Sequence, residues 1–177
     1  MLKQQIAERL EQAFSQFGFA EPNVAQLKTA CQVSLRTLYK HYPSKEAMIV
    51  AALDFRHQRY LDFLQDNAPE AGTPAIEHIF QQLQGWMETF APHGCLSVNA
   101  LSAYPENAQI HQAVTEHKQA VIHFLGQQSL RPDLAHSLFL LHEGVSSAWP
   151  VLGQAAVTSA LHTIQQLLED TTNDIAH

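Results

Sequence analysis

Val33-Ser34-Leu35-Arg36-Thr37-Leu38-Tyr39-Lys40-His41-Tyr42-Pro43-Ser44-Lys45-Glu46 is the stretch that decides how the rest of the chain is read. Ser34 offers a side-chain acceptor at a helix start, and Pro43 has no N–H to continue one. A short helix over residues 34–41 is therefore expected, with a second opening at Ser44. Leu38 and Tyr42 stand four apart and face inward. Arg36, Thr37, Tyr39, Lys40 and His41 carry donors or cations that a core has no use for. A helix laid against phosphates and base edges needs such groups.

The residues before it extend the pattern. Ile6, Leu10, Ala13, Phe14 and Phe17 fall on one helical stripe that Gly18 terminates. Asn23 after Pro22 is an N-cap, and Gln26 stands where a capping-box partner belongs. Val24, Leu27 and Cys31 share a face of a two-turn helix. Gln32-Val33 make a tight turn into the next helix. Two short helices joined in this way, the second polar and cationic, have helix-turn-helix spacing. Arg36 and Lys40 suit guanine or phosphate, and Thr37 suits a base edge. Tyr39 and His41 suit phosphate oxygens, and Lys45 lies beside the free amides of a helix start.

The charge agrees once it is divided. The 177 residues carry −7 overall. Residues 1–60 hold eight Lys and Arg against five Asp and Glu, a net +3. Residues 61–177 hold two against twelve, a net −10. A basic end on an acidic remainder presents one face to a polyanion. With 46% apolar residues the chain has enough for a core, and disorder is not expected. No run of about 18 apolar residues occurs, so no membrane partner is expected. The start, Met-Leu-Lys-Gln-Gln-Ile-Ala-Glu, is not a secretory signal, and a cytoplasmic location is the expectation. Cys31 and Cys95 suggest no disulfide framework.

Downstream the pattern stays helical, with no sustained alternation of period two. Ser44 opens a helix to about Leu64, with Met48, Ala52 and Phe55 inside. Residues 66–74 form a loop. Residues 75–91 form an amphipathic helix that Pro92-His93-Gly94 interrupts. A segment from Cys95 to Tyr104 follows, then a long helix over 106–127. An apolar helix opens at Arg131-Pro132-Asp133 and is expected to end at Pro150, and a last helix covers 154–169. Small residues near the C-terminal end, among them Gly144, Ser147 and Ala155, permit close helix approach. Leu138, Leu141, Val145, Ala148, Ala156, Ala160, Leu161, Ile164 and Leu168 are the expected dimer interface.

Gly18-Phe19, Val24 to Ser34, and Thr37-Leu38-Tyr39-x-His41-Tyr42-x-Ser44-Lys45-Glu46 together resemble the N-terminal domain of the tetracycline-repressor (TetR) family. The resemblance covers about residues 2–50. It implies an all-α fold: a three-helix helix-turn-helix DNA-binding head over 1–46 and a larger effector-binding and dimerisation body over 47–177, connected by the helix 44–64. It also implies a homodimer, double-stranded operator DNA and a small-molecule effector as partners, and no cofactor. By position, Ser34 caps the recognition helix, Leu35, Arg36, Thr37 and Lys40 face the major groove, and Tyr39, His41 and Lys45 grip the backbone. The sequence departs from the family at Lys28, where a small Ala is usual, at Cys31-Gln32, where Ala-Gly is usual, and at Arg36, where glycine is frequent. Lys28 either extends into solvent or adds a phosphate contact. Gln32 costs roughly 1 kcal/mol if its φ is positive.

The body implied by the resemblance would hold an effector cavity lined by Trp86, Met87, Phe90, Cys95, Leu96, Leu101, Phe124 and Phe139. Gly-Cys-Leu-x-x-Asn at 94–99 also resembles a segment of regulators that sense electrophiles or oxidants. Cys95 is thus either a sensor or an inert thiol. Metal or enzyme chemistry finds little support. None of the eleven histidines is paired as His-x-x-x-His or Glu-x-x-His, and His142-Glu143 lacks the second histidine of a zinc-protease motif.

Overall fold

A computed structural model describes residues 1–169; positions 170–177 of the expected body lie outside the described residues. Among the described residues the regular structure is entirely helical: α1 (Leu2–Phe17), α2 (Val24–Cys31), α3 (Leu35–His41), α4 (Lys45–Gln65), α5 (Thr73–Phe90), α6 (Leu96–Ala103), α7 (Ala108–Gln128), α8 (Ala135–Leu152) and α9 (Gln154–Glu169). A 3-10 turn, Pro132–Leu134, precedes α8.

The chain divides into two compact units. One is Met1–Tyr60 with Leu96–Lys118, and the other is Leu61–Cys95 with Gln119 onward. The first is larger than the expected head of residues 1–46. Its core joins Ile6, Leu10 and Phe14 of α1 to Leu27 and Cys31 of α2, Leu38 of α3, and Met48, Ile49 and Leu53 of α4. Leu96 and Ala100 of α6 and Ile110 and Val114 of α7 complete the same cluster. Apolar residues far along the chain thus bury themselves with the three N-terminal helices.

Two details of this unit differ from the sequence reading. Phe17, expected on the buried stripe, is 53% exposed. Gly18 adopts φ 75°, open to glycine without strain, and turns the chain so that Phe19 enters the core and stacks on Phe14 at 5.0 Å. Glu11, on the opposite side of α1 from solvent, is 2% exposed. It accepts from Arg56 Nη1, from Arg59 Nη2 at 3.1 Å and from Ser15 Oγ at 3.3 Å. A buried carboxylate is costly unless paired, and α4 supplies the charge that ties it to α1.

In the second unit α8 packs on α9, and both pack on α5. Ile76, Ile79, Phe80, Leu83 and Met87 line the buried side of α5. Leu138 and Val145 of α8 and Ala156, Val157, Ala160 and Ile164 of α9 are also buried. Pro150 does not end α8, which runs two residues further. At that position the missing N–H forfeits one bond, to the Ser146 carbonyl, and Gly153 N–H closes the helix on the Trp149 carbonyl at 2.9 Å. No described helix is long and apolar enough to cross a membrane.

Candidate nucleic-acid interface

Local chemistry builds α3 and its approach. The Asn23 side chain accepts from Gln26 N–H at 2.9 Å, and the Gln26 side chain accepts from Asn23 N–H at 2.9 Å, a complete capping box. At the other end of α2, within the tight turn expected there, Gln32 takes φ 54°, ψ 41°, which is left-handed. Arg9 Nη1 donates to the Cys31 carbonyl at 2.6 Å and satisfies a helix-end acceptor. Ser34 Oγ then accepts from Thr37 N–H at 3.0 Å and lies 2.8 Å from Thr37 Oγ1.

Two anchors fix which face of α3 looks outward. Leu38 is fully buried, and truncation of such a residue costs about 2–5 kcal/mol. Tyr42 is buried, and its hydroxyl donates to the Lys3 carbonyl at 3.0 Å. Burial foremost, with Asp54 and Cys31 nearby, raises the Tyr42 pKa, so the phenol keeps its proton and its role as donor. With these residues inward, Leu35, Arg36, Tyr39 and Lys40 are exposed, with Leu35 at 45% and Tyr39 at 42%. Thr37, His41 and Lys28 are half-buried and Ser34 is exposed. The outward face thus offers two cations, a phenol and an apolar contact on two turns of helix.

Lys45 has partners within the chain. It is half-buried, its Nζ donates to the Ala20 carbonyl at 3.2 Å, and it lies 6.0 Å from the centre of the Tyr104 ring. Tyr104, which the sequence marked only as the end of the segment from Cys95, packs with the first unit. Its place there depends on tertiary packing, and no local motif announces it.

The expected effector residues do not form one group. Leu96 is buried in the core of the first unit and Leu101 packs against it, so neither lines a cavity in the body. Trp86, Met87, Phe90, Phe124 and Phe139 belong to the second unit. There Trp86 and Phe90 approach to 4.8 Å, and Phe63 meets both at 5.5 and 6.0 Å. Phe139 stacks on His142 at 6.3 Å. Cys95 precedes α6 and is partly exposed, whereas Cys31 is buried and its thiol is pushed up to about 11 by that burial, against the pull of Arg9. Among the described residues no group of three or more His, Cys, Asp or Glu could hold a metal.

The expected dimer residues also divide. Leu138, Val145, Ala156, Ala160 and Ile164 are buried within the chain's own α5, α8 and α9, and so cannot meet a second copy. Leu141, Ala148, Leu161 and Leu168 are half-buried. The apolar and small residues of α8 that face solvent are instead Leu140, Gly144, Ser147 and Val151, at helical spacing. The sequence did not show which side of α8 the chain itself covers, because an almost uniformly apolar helix has no polar face to mark its outside.

Residues 6–52 match the profile described as bacterial regulatory proteins, tetR family. An uncharacterized HTH-type transcriptional regulator of Bacillus subtilis, YerO, is 26% identical over 113 residues, which are 62% of this chain. The aligned part spans 39% of that relative's length. The fold is shared with a TetR-family transcriptional regulator of Streptomyces coelicolor, with a TM-score of 0.78, 20% identity and coverage of 96% of this chain and 98% of the other. Reduced NemR of E. coli superposes with a TM-score of 0.75 at 22% identity, over 94% and 96% of the two chains. The matched segment contains the capped α2, the left-handed turn and the outward face of α3, so residues 6–52 carry the DNA-binding domain of the bacterial tetR-family regulatory proteins, and the described helices share the fold of such regulators.

Proposed function

We propose that the chain acts as a cytoplasmic homodimeric repressor that leaves a palindromic operator when a small molecule binds its body. The observation that carries the reading is the outward face of α3, with Arg36 and Lys40 exposed while Leu38 and Tyr42 anchor it. In this reading Leu35, Arg36, Thr37 and Lys40 enter the major groove, and Ser34, Tyr39, His41 and Lys28 serve the backbone. Two copies joined through the solvent-facing side of α8 and through α9 set the half-sites about 34–36 Å apart. The effector lodges among the aromatic residues Trp86, Phe90 and Phe139 with Met87 and Phe124. Because α4 continues from the first unit into the second, displacement of its far end alters the half-site spacing. The coupling needs only a few kcal/mol between two arrangements.

The test is duplex binding to DNA from the chain's own upstream region. Arg36→Ala with Lys40→Ala lowers affinity roughly 100-fold or more, as expected when a base contact and a phosphate contact are both lost. A double variant that binds like the parent defeats the reading.

A second reading makes Cys95 the trigger. Its partial exposure and the likeness to a regulator crystallised in a reduced form favour it. Comparing release by an electrophile from the parent and from Cys95→Ser separates the two, since equal release removes the thiol from the mechanism.

A further inference from the structure

Three segments of the first unit meet at Lys45. Ser44 Oγ accepts from Ala47 N–H at 3.1 Å and starts α4, which places Lys45 in its first turn. Phe19 and Ala20 form the turn between α1 and α2. Tyr104 follows α6, its amide bonded to the Ala100 carbonyl at 3.0 Å. The Tyr104 hydroxyl donates to the Phe19 carbonyl at 3.4 Å, and its ring face lies 6.0 Å from Lys45 Nζ. The same ammonium donates to the Ala20 carbonyl at 3.2 Å. It is therefore turned toward the protein, although the run Ser44-Lys45-Glu46 suits a phosphate contact. A neutral carbonyl and a ring face are weak partners for an ammonium, and a phosphate oxygen is a stronger one. The arrangement can exchange one for the other.

We propose that Tyr104 is a positioning residue that withholds Lys45 from DNA, and that movement of the end of α6 releases the ammonium to a phosphate. The proposal rests on the DNA-binding reading of α3 and deepens it: the end of α6 controls one backbone contact per subunit. Affinity for the operator is then adjusted at α6 without any change in the base-reading face.

Two measurements test it. Acylation of the free protein with acetic anhydride, read by mass spectrometry, reports whether Lys45 is engaged. Lys45 reacts several-fold more slowly than the exposed Lys40 in the parent and in Tyr104→Phe, and as fast as Lys40 in Tyr104→Leu. Equal reactivity in the parent overturns the withholding. The second measurement is affinity for the upstream duplex across a range of salt. Tyr104→Leu steepens the dependence of log K on log salt by about 0.9 per subunit, Tyr104→Phe leaves it unchanged, and Lys45→Gln added to Tyr104→Leu restores the parental slope. In the otherwise parental protein Lys45→Gln changes the slope much less than Lys40→Gln, a comparison that does not require Tyr104→Leu to fold. An unchanged slope in Tyr104→Leu, a steepening that survives Lys45→Gln, or equal losses from the two single lysine variants overturns the release. The Arg36→Ala, Lys40→Ala protein is titrated alongside. If it binds like the parent, the reading of α3 fails, while the acylation result still decides the Lys45–Tyr104 contact.

Discussion

Gln32 holds a backbone conformation that costs an L-residue about 1–2 kcal/mol, and it does so between the two helices of the DNA-reading motif. Glycine escapes that strain but loses more freedom on folding. The net expectation for Gln32→Gly is a gain of about 0.5–1 kcal/mol, seen as a rise of about 2 °C in the thermal midpoint. A lowered midpoint would show that the glutamine side chain contributes something the backbone angle conceals. This turn, like the caps at Asn23 and Ser34, was legible beforehand because its determinants lie within a few residues of one another. The true position of Lys45 was not. Its partners are Ala20 and Tyr104, and nothing within its own helix turn shows that they converge on it.

Between elements, α4 and α7 are joined by chemistry that periodicity does not reveal. His57 and His117 stack with ring centres 4.3 Å apart and planes 12° from parallel. His117 Nε2 meets Asp54 Oδ1 at 2.8 Å, while its Nδ1 is buried without a hydrogen-bond partner. Burial, then the neighbouring His117 and Lys118, push His57 down to about 4, against the upward pull of Asp54. The unfolded ring, with a pKa near 6.5, takes up a proton that the folded ring refuses. The stabilisation from neutral His57 is therefore complete above about pH 6.5 and is lost as the pH falls toward 4. Allowing for the ring's partial exposure, the loss is about 1 kcal/mol. Urea titrations at pH 7.5 and 5 measure it, and His57→Gln flattens the difference. Equal pH dependence in the variant would assign the effect elsewhere. The helices themselves were readable from spacing, capping and proline positions. Which of them share a core was not, because Leu96, Ala100 and Ile110 look alike whichever neighbours bury them.

For the whole molecule, the unresolved choice in the sequence was the outside of α8. Leu140 is 69% exposed and Val151 is 86% exposed, with Gly144 and Ser147 between them. Leu140→Glu places a charge on that stripe without entering the subunit core. It is expected to convert the proposed dimer to folded monomers in sedimentation and to weaken operator binding by at least tenfold, since one head alone contacts one half-site. A dimer that persists with the substitution would place the interface elsewhere. The basic first 60 residues and acidic remainder, visible from composition, favour an approach to DNA by the heads. Pro150 adds a constraint on assembly. It interrupts the hydrogen-bond ladder of α8 just where the exposed stripe reaches Val151, so the ridge offered to a neighbour has an irregular end. In a two-fold dimer built on this stripe, as proposed, each copy brings the same irregular end to the contact, so Pro150→Ala would regularise both ends at once and change how the two copies fit.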